Sequence, residues 1–93
     1  MIELLRSRRS VRVYEARPIE REKLELLREA LVRSPSSRNF DPWEFVLVSG
    51  PDKLKRLSQA KEHGAAFLSG APLGIVVCGN ENESDVWVED CSI

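Results

Sequence analysis

Apolar residues along this chain recur with two different periods, and the change from one to the other lays out its elements. Leu24, Leu27 and Leu31 fall at i, i+3 and i+7, with Leu26 and Ala30 widening the stripe, so Glu20–Arg33 is predicted to be an amphipathic helix. Glu20 and Glu22 lie in its first turn and Arg33 in its last, the polarity that a helix dipole favours. Trp43 to Ser49 is rich in β-formers, and its run Phe45-Val46-Leu47-Val48 is bounded by Gly50-Pro51, which predicts a buried strand. Leu73-Gly74-Ile75-Val76-Val77-Cys78, entered from Ala71-Pro72 and left through Gly79-Asn80, predicts a second.

Shorter elements follow from local chemistry. Ile2, Leu4 and Leu5 ahead of a run of arginines predict a brief first helix ending near Arg9. Val11 to Arg17 alternates in character and stops at Pro18, which biases its predecessor towards extended backbone, so this stretch reads as a connector. Ser34-Pro35-Ser36-Ser37-Arg38-Asn39 is turn chemistry: proline ends the helix, and Ser and Asn bond to nearby backbone. Pro51 suits the first position of a helix carrying Leu54 and Leu57, and Gly64 breaks that pattern before a separate turn over Ala65 to Leu68. Glu81-Asn82-Glu83 is an acidic loop without the spacing or the glycine of a calcium-binding hand. From Ser84 a last helix is predicted, with Ser84 as N-cap and Asp85 in the first turn.

That last helix runs to Ile93 with no glycine, cationic turn or proline to stop it, so residues 1–93 are expected to form a single domain that is the amino-terminal portion of a longer one. At 93 residues the chain lies near the lower limit for a self-sufficient core. Its formal net charge of -1 offers no global attraction to nucleic acid or to a membrane surface, and neither is expected as a partner. No apolar run reaches the length of a membrane span and the first residues lack a signal-peptide core, so the expected location is cytoplasmic. Cys78 and Cys91 lack the short paired spacing of a metal or redox motif, and they read as reduced thiols packed as small hydrophobes. Cys78 in particular is expected to be inert in an apolar strand. The one histidine, His63, reads as a surface residue, and Trp43 as a core residue whose indole N–H finds a partner.

Two clusters carry candidate chemistry. Arg8-Arg9-Ser10-Val11-Arg12 gathers three guanidinium forks and a hydroxyl at a helix-to-connector junction, a donor set suited to phosphate oxygens; the plainer reading is a solvated basic face paired with the chain's many glutamates. One helix later, Pro35-Ser36-Ser37-Arg38-Asn39 exposes hydroxyls and amides suited to the hydroxyls of a polar ligand tail; the plainer reading there is an ordinary helix-ending turn. A nucleic-acid role for the arginines lacks interleaved aromatics and a favourable overall charge.

Taken in order, Arg8-Arg9-Ser10-Val11-Arg12, Pro18 and a helix, Ser34-Pro35-Ser36-Ser37-Arg38-Asn39, Pro42-Trp43-Glu44-Phe45, Ala71-Pro72 and Trp87-Val88-Glu89-Asp90 resemble the amino-terminal half of the nitroreductase family. The resemblance implies an α+β fold with α/β-type layers, a central mainly antiparallel sheet flanked by helices, here truncated. It implies FMN as cofactor and NAD(P)H as reductant, with hydride passed through the flavin to a nitro, quinone or other small acceptor. Arg8, Arg9, Ser10 and Arg12 would hold the FMN, Arg8 towards its phosphate and Arg12 towards the pyrimidine edge of the ring. Pro35, Ser36, Ser37 and Asn39 would contact the FMN bound mainly by the other subunit of a homodimer. No catalytic acid or base and no metal ligand is implied, since the flavin carries the hard step. The alternative is a non-catalytic dimerisation or flavin-binding remnant of the same fold. The chain departs from many members at Asp41, where they carry glutamine; a carboxylate there repels phosphate while still accepting from an amide or hydroxyl.

Overall fold

The structure, a computed structural model, describes residues Met1–Ile93. In chain order it contains α1 (Ile2–Ser7), α2 (Arg21–Val32), a 3₁₀ turn (Ser37–Asn39), β1 (Trp43–Val48), α3 (Pro51–Ser58), a second 3₁₀ turn (Ala66–Gly70), β2 (Gly74–Gly79) and α4 (Trp87–Ser92). Pro51 sits in the first turn of α3, as its fixed φ favours, and Gly50 before it takes φ 95°, a backbone state that a side chain would strain. Glu20 and Arg33 flank α2 as its caps.

β1 and β2 pair antiparallel from Trp43 opposite Gly79 to Val48 opposite Gly74. Side chains alternate across a strand, so this register puts residues 43, 45 and 47 on one face with 79, 77 and 75, and residues 44, 46 and 48 on the other with 78, 76 and 74. α4 rests on the first face at the Gly79 end. A Cβ at Gly79 would run into the Trp87 ring and lie 2.9 Å from the Cys91 sulfur, so the helix approaches the strand as closely as it does because no side chain stands there. α3 covers the second face at the opposite end, where Leu54 and Leu57 come within 3.2 Å of where a Cβ on Gly74 would lie. The Tyr14 ring stands 6.2 Å from that of Phe67 and its hydroxyl donates to the Val11 carbonyl, which tethers the connector after α1.

Covering each face at one end only leaves the middle of the sheet open, and this corrects the expectation of two buried strands. Val46 is 50% exposed, and Ile75 and Val77 are also exposed. Cys78 projects to the second face beyond the reach of α3 and is exposed, so the apolar surroundings expected for its thiol are absent. Trp43 is half-buried with its ring 5.0 Å from that of Phe45, but its indole N–H is buried without a partner, against the expectation that it would find one. The crevice beside it is lined by Leu31, Val32, Trp43, Phe45 and Leu47 together with Arg28 and Glu44, and Glu44, the one carboxylate among them, alternates to the opposite face of the strand from Trp43.

α4 begins later than expected, at Trp87 after Val86, and Ser84 is not its N-cap. The Ser84 hydroxyl accepts the N–H of Val86 two residues on, a local turn that bends the chain before the helix can start. α2 forms where its periodicity predicts, yet Leu26 is 66% exposed and Leu27 is also exposed, because no other element covers that stripe.

Two outcomes follow from the packing. Gly79→Ala is expected to destabilise the fold by about 1–3 kcal/mol through overpacking against Trp87 and Cys91, read as a lower urea midpoint; an unchanged midpoint would show that α4 is not seated as described. Glu20, at the start of α2, is held below the usual glutamate pKa by its own backbone N–H and by Lys23, whose ammonium is 3.3 Å away. The contact therefore favours the folded state above the unfolded pKa of Glu20 and is lost as pH falls through the lowered folded value. A carboxyl titration by NMR should show that low midpoint, and Lys23→Ala should raise it.

Candidate functional site

The chain segments that leave the sheet at its Trp43–Gly79 end are brought together by the strand pairing itself. Asn80 continues the ladder one step further, donating its N–H to the Pro42 carbonyl at 2.7 Å. Beyond that point the loop before β1 lies against the segment after β2. The Ser37 N–H donates to Asp90 Oδ1 at 2.9 Å, and the Ser84 hydroxyl reaches the other oxygen, Oδ2, at 3.4 Å. Asp90 is 4% exposed and Ser84 5%, so a buried carboxylate on α4 secures a loop 53 residues away in sequence. On the outside, the Arg38 guanidinium is 3.7 Å from the Asp85 carboxylate and lies over the Phe40 ring at 5.4 Å.

That loop is strained. Arg38, Asn39 and Asp41 all have positive φ, 53°, 57° and 47°; the left-handed region costs a residue such as Arg38 roughly 1–2 kcal/mol, while Asn and Asp enter it more readily. It is held by reciprocal bonds: the Ser36 hydroxyl donates to Asp41 Oδ1 at 2.7 Å and accepts the Asp41 N–H at 2.9 Å. Asp41 thus plays the part left open for it in the sequence, accepting from a hydroxyl, and its charge faces the loop's own serine. Pro35 leads into this turn, and Asn39 is exposed with no side-chain bond within the chain. With Asp41 and Asp85 beside it, the loop is a poor phosphate site and a suitable one for hydroxyls.

The first cluster has the opposite character. Arg6, Arg17, Lys23, Arg28, Arg33 and Arg38 each have a carboxylate between 2.6 and 3.8 Å away, whereas Arg8, Arg9 and Arg12 take part in no ion pair. Arg9 is engaged differently: its Nη1 donates to the carbonyls of Arg6 and Arg8 at 3.2 and 2.9 Å, closing the carboxyl end of α1. Arg8, Ser10 and Arg12 keep their donors free and exposed. Unpaired cations also occur at Arg21 on α2, at Lys53, Lys55 and Arg56 on α3, where Lys53 and Arg56 share a face, and at Lys61 beyond it. Arg8 to Arg12 lie in non-repeating chain just past α1, where neighbouring side chains can converge.

No hydrogen bond or ion pair joins the arginine segment to the Pro35–Asn39 loop. Five surface cavities are lined by none of Arg8, Arg9, Ser10, Arg12, Pro35, Ser36, Ser37 or Asn39; one of about 580 Å³ lies between the connector and α2 and is lined by Tyr14, Arg17, Lys23, Leu26, Leu27 and Pro72 among others, and one of about 810 Å³ lies along α2. The two donor sets are therefore not joined by any hydrogen bond or ion pair within one chain. Their chemistry fits FMN part by part, with free guanidinium forks for a phosphate and a neutral hydroxyl and amide pair for a ribityl chain.

Ser84 was read from the sequence as a helix N-cap and Asp90 as part of the Trp87–Asp90 motif, but neither was read as a residue of the site. A signal was present: Val86, Trp87, Asp90 and Cys91 recur at i, i+1, i+4 and i+5, so the aspartate falls on the covered stripe of a short helix, where a carboxylate needs donors.

Comparison with known proteins supplies the lineage. Residues 5–85 match the family model described as the nitroreductase family. A protein of Archaeoglobus fulgidus, assigned provisionally as an NADH dehydrogenase/NAD(P)H nitroreductase, is 38% identical over 98% of this chain and 54% of its own length. An NAD(P)H FMN reductase of Bacillus subtilis is 28% identical over 97% of the chain and 36% of its own length. Among solved structures, an FMN-dependent nitroreductase from Clostridium difficile superposes with a TM-score of 0.95 at 42% identity, covering 100% of this chain and 54% of that one. The chain spans about half the length of the first curated relatives it matches, their amino-terminal half. Nitroreductase-fold neighbours with TM-scores from 0.85 to 0.95 agree with the α+β architecture of helices around an antiparallel sheet.

The bracing of the loop has a measurable consequence. Ser36→Ala removes both bonds to Asp41 and should lower stability by about 1 kcal/mol in urea unfolding, while Ser36→Thr, which keeps the hydroxyl, should lose much less. Equal losses in the two variants would mean that the hydroxyl does not hold the loop.

Proposed function

The chain belongs to the nitroreductase family, and from that premise we propose that the whole protein is an FMN-dependent oxidoreductase, taking hydride from NAD(P)H and delivering it to a nitro, quinone or other small acceptor. The observation that carries this reading is the free donor set: Arg8, Ser10 and Arg12 have no partner within the chain and lie within five residues of one another, whereas the unpaired Arg21 and Arg56 stand on helices without a free hydroxyl beside them. Exposed cations that lie close in sequence and stay unpaired repel one another, and a dianionic phosphate relieves that repulsion. Names of relatives point the same way, one an FMN reductase and one an FMN-dependent nitroreductase.

In this reading Arg8 and Ser10 hold the phosphate of FMN, Arg12 orients the pyrimidine edge of its ring, and Arg9 fixes the end of α1 from which they project. Pro35 and Ser36 shape the second half-site, Ser36 through its bonds to Asp41, and Ser37 and Asn39 present it to the ribityl chain. Bound FMN would supply the hydride-accepting and hydride-donating chemistry, so no side chain is assigned as acid or base. The two half-sites are unconnected within one chain, which supports a homodimer with FMN at the interface, each subunit giving one half. A surface of 7809 Å² supports it too, since a compact monomer of 10.6 kDa exposes about 5,500 Å². We place residues 1–93 as one domain, the amino-terminal part of the catalytic fold. The reductant is a cytoplasmic nucleotide and both thiols are free, which supports a cytoplasmic location. No helix is long and apolar enough to cross a membrane.

The test is FMN titration of the purified protein with gel filtration, followed by reduction with NADH and NADPH. FMN is expected to co-elute with a dimer. Arg8→Ala or Arg12→Ala should each weaken its binding by about 10- to 100-fold, more steeply at low salt. Arg33→Ala, which removes only an exposed pair with Glu29, should leave binding unchanged. A protein that stays colourless with excess FMN would sink the assignment.

A further inference from the structure

We propose that Asp90 is a positioning residue for the flavin half-site: it holds the Ser36–Asn39 loop so that only the Ser37 hydroxyl and the Asn39 carboxamide face the ligand. The proposal rests on the FMN reading above. Asp90 is buried without a cation, since no Lys, Arg or His lies within ion-pair distance of it. A buried carboxylate in that position is costly unless hydrogen-bonded. Its two donors come from opposite sides, the Ser37 N–H on Oδ1 and the Ser84 hydroxyl on Oδ2. Ser84 is itself fixed, because its oxygen accepts the Val86 N–H at 3.2 Å. The carboxylate is thus held from the α4 side and pulls the loop's first 3₁₀ residue inward.

This sorts the loop's polar groups. The Ser37 amide is engaged by Asp90, and the Ser36 hydroxyl and Asp41 carboxylate are engaged with each other. The Ser37 hydroxyl and the Asn39 carboxamide make no bond within the chain and are the uncharged side-chain groups of the loop left for a ribityl hydroxyl. With Arg38 and Asn39 held left-handed immediately after Ser37, release of its amide would let the loop relax to an ordinary turn and turn both groups away. Asp90 touches no ligand in this scheme and acts only through the loop.

The test uses Asp90→Asn, Asp90→Ala and Ser84→Ala in the full-length protein, with three readouts. The first is amide hydrogen exchange at Ser37 and at the core residue Leu54 without added flavin. The second and third are titrations with FMN and with riboflavin, which lacks the phosphate. Asp90→Ala should speed exchange at Ser37 about 10-fold or more while Leu54 changes little, and should weaken FMN and riboflavin by the same factor, about 10-fold. Asp90→Asn keeps an acceptor of the same shape for the Ser37 N–H and should recover most of both. Ser84→Ala, which leaves the loop contact itself intact, should fall between, and it serves if Asp90→Ala does not fold. Unchanged Ser37 exchange in all three variants overturns the proposal, as does equal acceleration at Leu54, which would make Asp90 a general support of the core. A parent protein that binds neither flavin, yet shows the localised exchange response, would remove the FMN reading and the flavin clause with it while leaving the Asp90 clamp on the loop.

Discussion

Antiparallel pairing of β1 with β2 is the constraint on which the rest of this structure depends. Because Trp43 lies opposite Gly79, the chain entering β1 and the chain leaving β2 occupy the same end of the sheet. A parallel arrangement would have placed them at opposite ends. The bond from Asn80 to Pro42 extends the ladder past the strands, and Gly79 lets α4 settle onto the sheet at contact distance. Only then does Asp90 reach Ser37, and Asp85 reach Arg38. The candidate loop is therefore shaped by residues half a chain away.

The same architecture explains why so little of the chain is buried. A two-stranded sheet covered at one end of each face by α3 and α4 has room for a small core, and Leu54 is the one large hydrophobic side chain that is fully enclosed. The apolar stripes of α1 and α2 and the middle of the sheet remain open, and the Cα radius of gyration, 14.9 Å, exceeds the roughly 12 Å of a compact domain this size. These faces call for a further layer of protein, which suits a chain that matches about half the length of its relatives.

Charge divides the two donor clusters as sharply as geometry does. The segment after α1 holds guanidinium groups that no carboxylate satisfies, while the loop before β1 is surrounded by Asp41, Asp85 and Asp90, each engaged by loop donors. The proposed reading of FMN, with its dianionic end at the arginines and its polyhydroxyl chain at the loop, draws on that difference in charge. The left-handed residues 38, 39 and 41 are tolerated because bonds on each side of them over-determine the loop, a pattern of local strain found at sites that must be pre-shaped.

What could be read from the residues in order was whatever depends on neighbours in sequence. The 3.6-residue period marked α2, the apolar runs bounded by Gly-Pro and Ala-Pro marked the strands, and Pro35 and Pro51 marked a stop and a start, because propensity and turn chemistry act over a few residues. The order and spacing of the arginine and serine clusters identified the lineage by resemblance, and the family match agrees. Tertiary structure alone decided the partners: that Arg8 and Arg12 meet no carboxylate, that the Trp43 indole is left unpartnered, that Cys78 is exposed, and that Asp90 on α4 reaches the Ser37 amide. Burial and hydrogen-bond pairing are properties of groups that meet only after the strands pair, and a period along the chain does not encode which groups those are.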